Sequence, residues 1–283
     1  MTGPRLPSHD LAPRVAEAVR AIRARTDLAP RVGLTLGSGL GGVVDALEDA
    51  VVFSTTELPH WPRSTVPGHA GRLAVGRWHG VPVAALSGRS HRYEGYSLDR
   101  VTFAVRVMQA LGARMLLFTN AVGAMNPEYR PGDLMLAVDH VNFIGKRGLF
   151  TREELAARRA GRPVGGCYSP RLRQALLEAA RSAGVRLHRG VLMGGLGPSY
   201  ETAAEVRMAA DLGADVACMS TVHEVMLAAQ LGAEAASISC VTNRATGLAA
   251  GPLAHDEVTE VAHKVAVSLR RILEEFLKTT AMR

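Results

Sequence analysis

Strand-like and helical patterns alternate along almost the whole chain, and this alternation restricts the available folds more than any other feature of the sequence. "VAEAVRAIRART" (15–26) carries Val, Ala and Ile at helical spacing and stops before Pro30, after which "RVGLTLG" reads as a buried strand. "GRLAVGRWHGVPVAALSG" (71–88) alternates apolar and polar residues on either side of His79-Gly80, the pattern of two strands joined by a tight turn. A helix is expected over 98–111, leading into the strand-like "RMLLFTNAVGAMN" (114–126). Farther on, the strand-like runs "HRGVLMGGLG", "ADVACMST" and "AEAASISCVTN" alternate with helical stretches at 201–212 and 222–232, and an amphipathic helix is expected over 256–277. The pattern predicts an α/β fold, a single domain over 1–283 with a central mixed, largely parallel sheet flanked by helices and functional residues on loops at strand ends. The Arg- and Gly-rich segment at about 145–166 lacks strand pattern and reads as a surface excursion with a short helix at 152–159, not as a linker.

Charge and composition exclude several classes of function. A formal net charge of +7 suits anionic ligands, but the basic residues are scattered among carboxylates and no Lys/Arg run is interleaved with aromatics, so no nucleic-acid partner is expected. No window approaches the ~20 apolar residues of a membrane span, and the first residues lack a secretory signal, so the expectation is a soluble, cytoplasmic protein. Cys167, Cys218 and Cys240 form no C-x-x-C pair and are odd in number, which fits reduced thiols. With no H-E-x-x-H and no clustered His/Cys/Asp set, no metal site is expected.

"VGLTLGSGLGGVVDAL" (32–47) poses the sharpest question of function. Gly37, Gly39 and Gly42 spell G-x-G-x-x-G after a strand-like run, and Glu57 follows at the distance a dinucleotide site requires. A nicotinamide-binding turn opens a helix of ordinary length, however, and only two turns fit between Gly41 and Ala50, while Pro59 and Pro62 put Glu57 in a loop. A phosphate reading survives without the dinucleotide. Backbone N–H groups at the start of a helix, with the Ser38 hydroxyl, form an anion site. "VPGHAGR" adds His69 in a glycine-rich loop, and "SGRSHRYEGY" places Arg89 and His91 two apart, so that an extended backbone points both the same way. Arg is suited to bidentate phosphate contact and His to a further hydrogen bond or charge.

Seven segments in order, "LGSGLG", "VPGHAGR", "GRSHRYEGY", "TNAVGAMNPEYRPGDLMLAVDHVN", "GPSYET", "ADVACMSTVHEV" and "ISCVTN", resemble the motifs of the trimeric purine nucleoside phosphorylase family over about 33–255. The resemblance implies a nucleoside phosphorylase fold, a homotrimer, and reversible phosphorolysis of inosine and guanosine with inorganic phosphate as co-substrate and no cofactor. It implies phosphate contacts from Ser38, His69, Arg89, His91, Ala121 and Ser220. It assigns the purine to Tyr200, Glu201 and Asn243, and the ribose to Tyr93, Met219 and His255. The catalytic set it implies is Asn243, Glu201 and His91. Residue chemistry agrees at the base. A 6-oxopurine offers N1–H as donor and O6 and N7 as acceptors, which a carboxylate and an amide complement.

The sequence departs from the family pattern at several places. Residues 146–166 replace an N-P-L-x-G-P-N stretch whose neighbourhood normally sends a Phe into an adjacent subunit's ribose site, and Phe150 and Tyr168 are the aromatic residues on hand to substitute. Cys218 stands where Gly is common, His223 where Pro is common, and Arg92 where an apolar residue is common. Alternatives carried forward are a methylthioadenosine-type or modified-nucleoside phosphorylase, a nicotinamide oxidoreductase and a nonenzymatic nucleoside-binding protein.

Overall fold

The computed structural model describes residues 11–37, 39–66, 71–145, 149–150, 166–248 and 255–281, with the side chains of 255–259 excepted. Ser38, His69, the His255 side chain and the helix expected at 152–159 lie outside the described residues. After helix α1 (Leu11–Arg23) come strands β1 (Val32–Leu36), β2 (Glu48–Ser54), β3 (Arg72–Trp78) and β4 (Val81–Ser87). Helices α2 (Leu98–Val101) and α3 (Phe103–Leu111) lead to β5 (Met115–Ala124) and β6 (Leu134–Asn142). Then follow α4 (Pro170–Ser182), β7 (Leu187–Gly194), α5 (Ala203–Asp211), β8 (Val216–Cys218), α6 (Val222–Gln230), β9 (Glu234–Arg244) and α7 (His255–Ala281).

The nine strands form one mixed sheet in the order β2-β3-β4-β1-β5-β8-β7-β6-β9, and β9 also pairs with β5. The second pairing closes β5, β8, β7, β6 and β9 into a ring, while β2, β3, β4 and β1 extend from it as an open wing. β1 lies parallel to β4 and β5, as do β5 to β9 and β7 to β6 and β8; the β2–β3, β3–β4, β5–β8 and β6–β9 pairs are antiparallel.

Side chains that alternate along each central strand serve two cores. Leu116 and Phe118 of β5 pack with Ile22, Val105, Met108 and Val225 on one face, whereas Met115 and Leu117 join Leu172, Leu176, Leu269 and Phe276 on the other. Fully burying each such side chain contributes about 1.5–3 kcal/mol before chain entropy is counted. Helix α7 reaches its core through Ala262, Val265, Leu269, Ile272, Leu273, Phe276 and Leu277, a stripe at helical spacing.

The expected hairpin is present. His79 and Gly80 both have positive φ, 49° and 75°, the two-residue turn whose twist matches the flanking strands. The expected helix over 98–111 is broken at Thr102, whose hydroxyl donates to the Leu98 carbonyl at 2.7 Å while its backbone leaves helical geometry. After the glycine loop there is only a six-residue 3-10 stretch, Gly41–Ala46, and Glu57 is exposed in a turn, so neither the long helix nor the strand-end acid of a dinucleotide site exists.

Candidate active site

The C-terminal parts of β5, β8 and β9 and the chain segments leaving β4, β7, β8 and β9 converge on one cavity with an empty volume of about 820 Å³, its open mouth included. Nine of the residues singled out from sequence line it together: Arg89, His91, Tyr93, Ala121, Tyr200, Glu201, Met219, Ser220 and Asn243.

At the end of β4 the chain stays extended through Arg89 to His91, so both side chains reach the cavity from one short segment. Arg89 is almost fully buried and its Nε lies 3.2 Å from the Glu224 carboxylate of α6. Its Nη2 donates to the Thr35 carbonyl and its Nη1 to the Ser220 hydroxyl, each at 3.4 Å. Burial raises the Glu224 carboxyl and the Arg89 charge opposes that rise. The glycine loop closes on the same point. A Cβ on Gly37 would sit 2.9 Å from both the Thr119 carbonyl oxygen and Asn120 Cα and 3.4 Å from Arg89 Nη1, so only glycine permits this approach.

His91 is held from below by Glu94, a residue to which the sequence reading gave no role. One Glu94 oxygen accepts from the His91 backbone N–H at 2.6 Å and lies 3.1 Å from ring Nδ1. The other accepts from the Thr65 N–H and hydroxyl at 2.6 and 2.8 Å. Burial alone would raise the Glu94 carboxyl, but these hydrogen bonds outweigh it and hold the carboxyl below its ordinary range. The signal was its position three residues after His91, the spacing of a capping box. Tyr93 stacks on the His91 ring at 4.8 Å, and burial, with Glu94 and Tyr200 adding to it, pushes its phenol up to about 12.

A strained turn carries Ser220. Thr221 has φ 63° and ψ −51°, and the Val222 N–H donates to the Ser220 carbonyl at 2.7 Å, so three residues close a γ-turn of the rare positive-φ kind. The Asn120 amide braces it by donating to the Thr221 hydroxyl at 3.0 Å. His223, in the first turn of α6, is buried, and its ring is pushed down to about 3 by burial first and then by Arg89 and His91, so it is neutral.

Tyr200 and Glu201 come from the loop after β7. Burial raises the Glu201 carboxyl above its ordinary value, with Glu205 adding to the rise. Within the same loop Gly197 lies directly against Met219 and Tyr93. Across the cavity, the Thr242 hydroxyl donates to Asn243 Oδ1 at 2.8 Å and Asn243 Nδ2 donates to the Arg244 carbonyl at 2.8 Å. These bonds fix the amide plane and leave the second Nδ2 hydrogen for a ligand.

Residues 31–278 match the family model for the phosphorylase superfamily. The chain belongs to that superfamily. Among the relatives of this phosphorylase-superfamily member, purine nucleoside phosphorylase 1 of Geobacillus stearothermophilus is 41% identical over 267 residues, spanning 94% of this chain and 97% of the relative. The purine nucleoside phosphorylase of Bos taurus is 36% identical over 266 residues, spanning 91% of each chain. A crystal structure of Schistosoma mansoni purine nucleoside phosphorylase in complex with inosine superposes with a TM-score of 0.86 at 30% identity, covering 94% of this chain and 96% of that one.

Of the two aromatic residues in and beside the atypical segment of this superfamily member, one is buried and the other half-buried. Tyr168 is fully buried, with its hydroxyl 3.3 Å from His140 Nδ1, and Phe150 packs partly buried against the core. Arg92 turns away from the ligand space to donate to the Tyr96 carbonyl at 2.7 Å. Among the described residues no group of three or more His, Cys, Asp or Glu could hold a metal, and no helix is long and apolar enough to cross a membrane.

Proposed function

We propose that this chain is a purine nucleoside phosphorylase that cleaves 6-oxopurine ribonucleosides and deoxyribonucleosides, inosine and guanosine foremost, to free purine and pentose 1-phosphate. The observation that carries this reading is the convergence, on one cavity, of an Arg–His–Ser group suited to an anion and a Glu–Asn pair suited to a 6-oxopurine edge. The relatives named purine nucleoside phosphorylase support the same reaction.

In this reading Arg89, His91, Ser220 and the backbone at Ala121 hold phosphate, with Ser38 and His69 completing the set. Glu224 holds the Arg89 guanidinium by charge, and a Glu94 oxygen 3.1 Å from Nδ1 orients the His91 ring. Tyr93 and Met219, together with His255, hold the pentose. A phosphate oxygen attacks C1′ as the C1′–N9 bond breaks, and that bond's electron pair departs with the purine. The sugar passes through an oxocarbenium-like state whose positive charge the bound phosphate stabilises. Asn243 donates to N7 of the leaving base, while anionic Glu201 accepts from N1–H, with Tyr200 packed on the ring. Holding phosphate and nucleoside in line supplies much of the remaining acceleration.

Adenine reverses the donor and acceptor pattern at N1 and C6, and a mismatched buried polar edge lowers the rate by roughly 10⁴- to 10⁵-fold in sites built this way. We assign the chain to the cytoplasm as a homotrimer, for which the family resemblance and the absence of disulfides among its three cysteines are the support. Light scattering should then return the mass of three 30.1 kDa chains.

The test is base release from inosine, guanosine and adenosine by purified protein, each with and without phosphate. Release from inosine and guanosine only when phosphate is present is expected. Preference for adenosine overturns the base assignment; release without phosphate overturns phosphorolysis.

A further inference from the structure

Cys218, the last residue of β8, touches two parts of the cavity through two different groups. Its carbonyl accepts from the Gly195 N–H at 2.8 Å and so anchors the start of the loop that carries Glu201. Its thiol donates to the Ser220 carbonyl at 3.2 Å, inside the turn that presents the Ser220 hydroxyl to Arg89. That carbonyl therefore accepts twice, from the thiol and from the Val222 N–H that closes the γ-turn. A backbone held at positive φ by a residue other than glycine persists only where its surroundings over-determine it. Here Asn120 braces the Thr221 hydroxyl and Cys218 braces the Ser220 carbonyl, and all four residues are buried. Burial pushes the Cys218 thiol up to about 12, which keeps the proton on sulfur at any physiological pH and keeps the group a donor.

We propose that Cys218 is a positioning residue for phosphate, its thiol fixing the strained Ser220–Thr221 turn so that the Ser220 hydroxyl stays aligned with Arg89. The inference rests on the phosphorolysis reading above. Because the link to Gly195 runs through the main chain, a side-chain change at 218 loosens the phosphate side and leaves the base side anchored.

Cys218→Ala removes the donor and keeps Cβ, and Cys218→Ser restores a donor. Each variant is compared with the parent by varying phosphate at saturating inosine, by varying inosine at saturating phosphate, and by calorimetric titration with inorganic phosphate alone. A thiol is a weak donor, so loss of the bond should raise the phosphate KM and Kd about three- to five-fold in Cys218→Ala. Cys218→Ser should recover most of that loss, and the inosine KM should move less than about twofold. Phosphate parameters unchanged in Cys218→Ala overturn the proposal, and so does a serine variant as impaired as the alanine one, which would point to packing. If the parent protein releases no base from any nucleoside, the phosphorolysis reading fails on its own terms. The phosphate titration still decides the role of Cys218, since the same weakening supports the brace and unchanged binding overturns it.

Discussion

Gly195→Ala is the smallest change that should displace Glu201 without touching it. An alanine Cβ at this position would lie 2.8 Å from Glu201 Oε1, with Met193 Sδ and the Cys218 carbonyl at 3.7 and 3.8 Å behind it. Those two contacts are ordinary and the first is not. The carboxylate must therefore retreat by roughly half an ångström to reach van der Waals separation. Gly195 is not among the positive-φ glycines, so alanine imposes no backbone strain of its own, and the effect reports the carboxylate alone. Misplacement by about 1 Å can lower a rate roughly 10²-fold, so half that distance should lower kcat/KM for inosine about tenfold, or about 1.4 kcal/mol of transition-state stabilisation. Steady-state assays with each substrate varied separately would show the loss on the inosine axis with the phosphate KM unchanged. An unaltered inosine kcat/KM, or a loss confined to phosphate, would refute the placement of Glu201 against the base.

Because burial raises the Glu201 carboxyl, its negative charge disappears at a pH above that of an exposed glutamate as the solution is acidified. kcat/KM for inosine should fall on the acid side with an apparent pKa above 4.5, and Glu201→Gln should abolish that limb; a limb unchanged in the variant would assign it elsewhere. Glu224→Ala leaves the Arg89 guanidinium buried beside no carboxylate and should cost about 3–5 kcal/mol in urea unfolding, with Glu224→Gln milder because it keeps a hydrogen-bond acceptor. Gly37→Ala drives a Cβ into backbone on β5 that cannot yield, and should destabilise by about 1–3 kcal/mol while raising the phosphate KM. A melting curve identical to the parent's would contradict that contact.

Local chemistry was legible where neighbouring residues in sequence settle it. The His79-Gly80 turn, the two-residue step from Arg89 to His91 and the shortness of the segment after the glycine loop could all be read from a few residues each. What escaped depends on residues far apart in sequence. Arg89 meets Glu224 from far along the chain, and nothing within α6 marks that glutamate as the partner of a guanidinium on β4's exit. The strand β2 was missed because it lies at the edge with mostly exposed or half-buried residues, so hydrophobic alternation hardly registers. Helix α2–α3 read as one piece because Thr102 breaks it through a side-chain bond to the backbone that spacing does not reveal. Tyr168 was one of two aromatic residues on hand to substitute for the family's Phe, yet it packs into the core.

The ring of strands has a bearing on how the protein is made. β9 joins β5 to β6 and is the last strand to be synthesised, with β5 complete more than a hundred residues earlier. While the chain is still growing, β5 and β6 each present an unpaired flank that only β9 can cover, so a nascent chain displays sticky edges until residue 244 has left the ribosome. Asn243 rides on that same closing strand. The cavity wall that carries Asn243 and the closure of the barrel-like ring are thus completed by one event, and a ribosome stalled before it would leave the cavity without that wall.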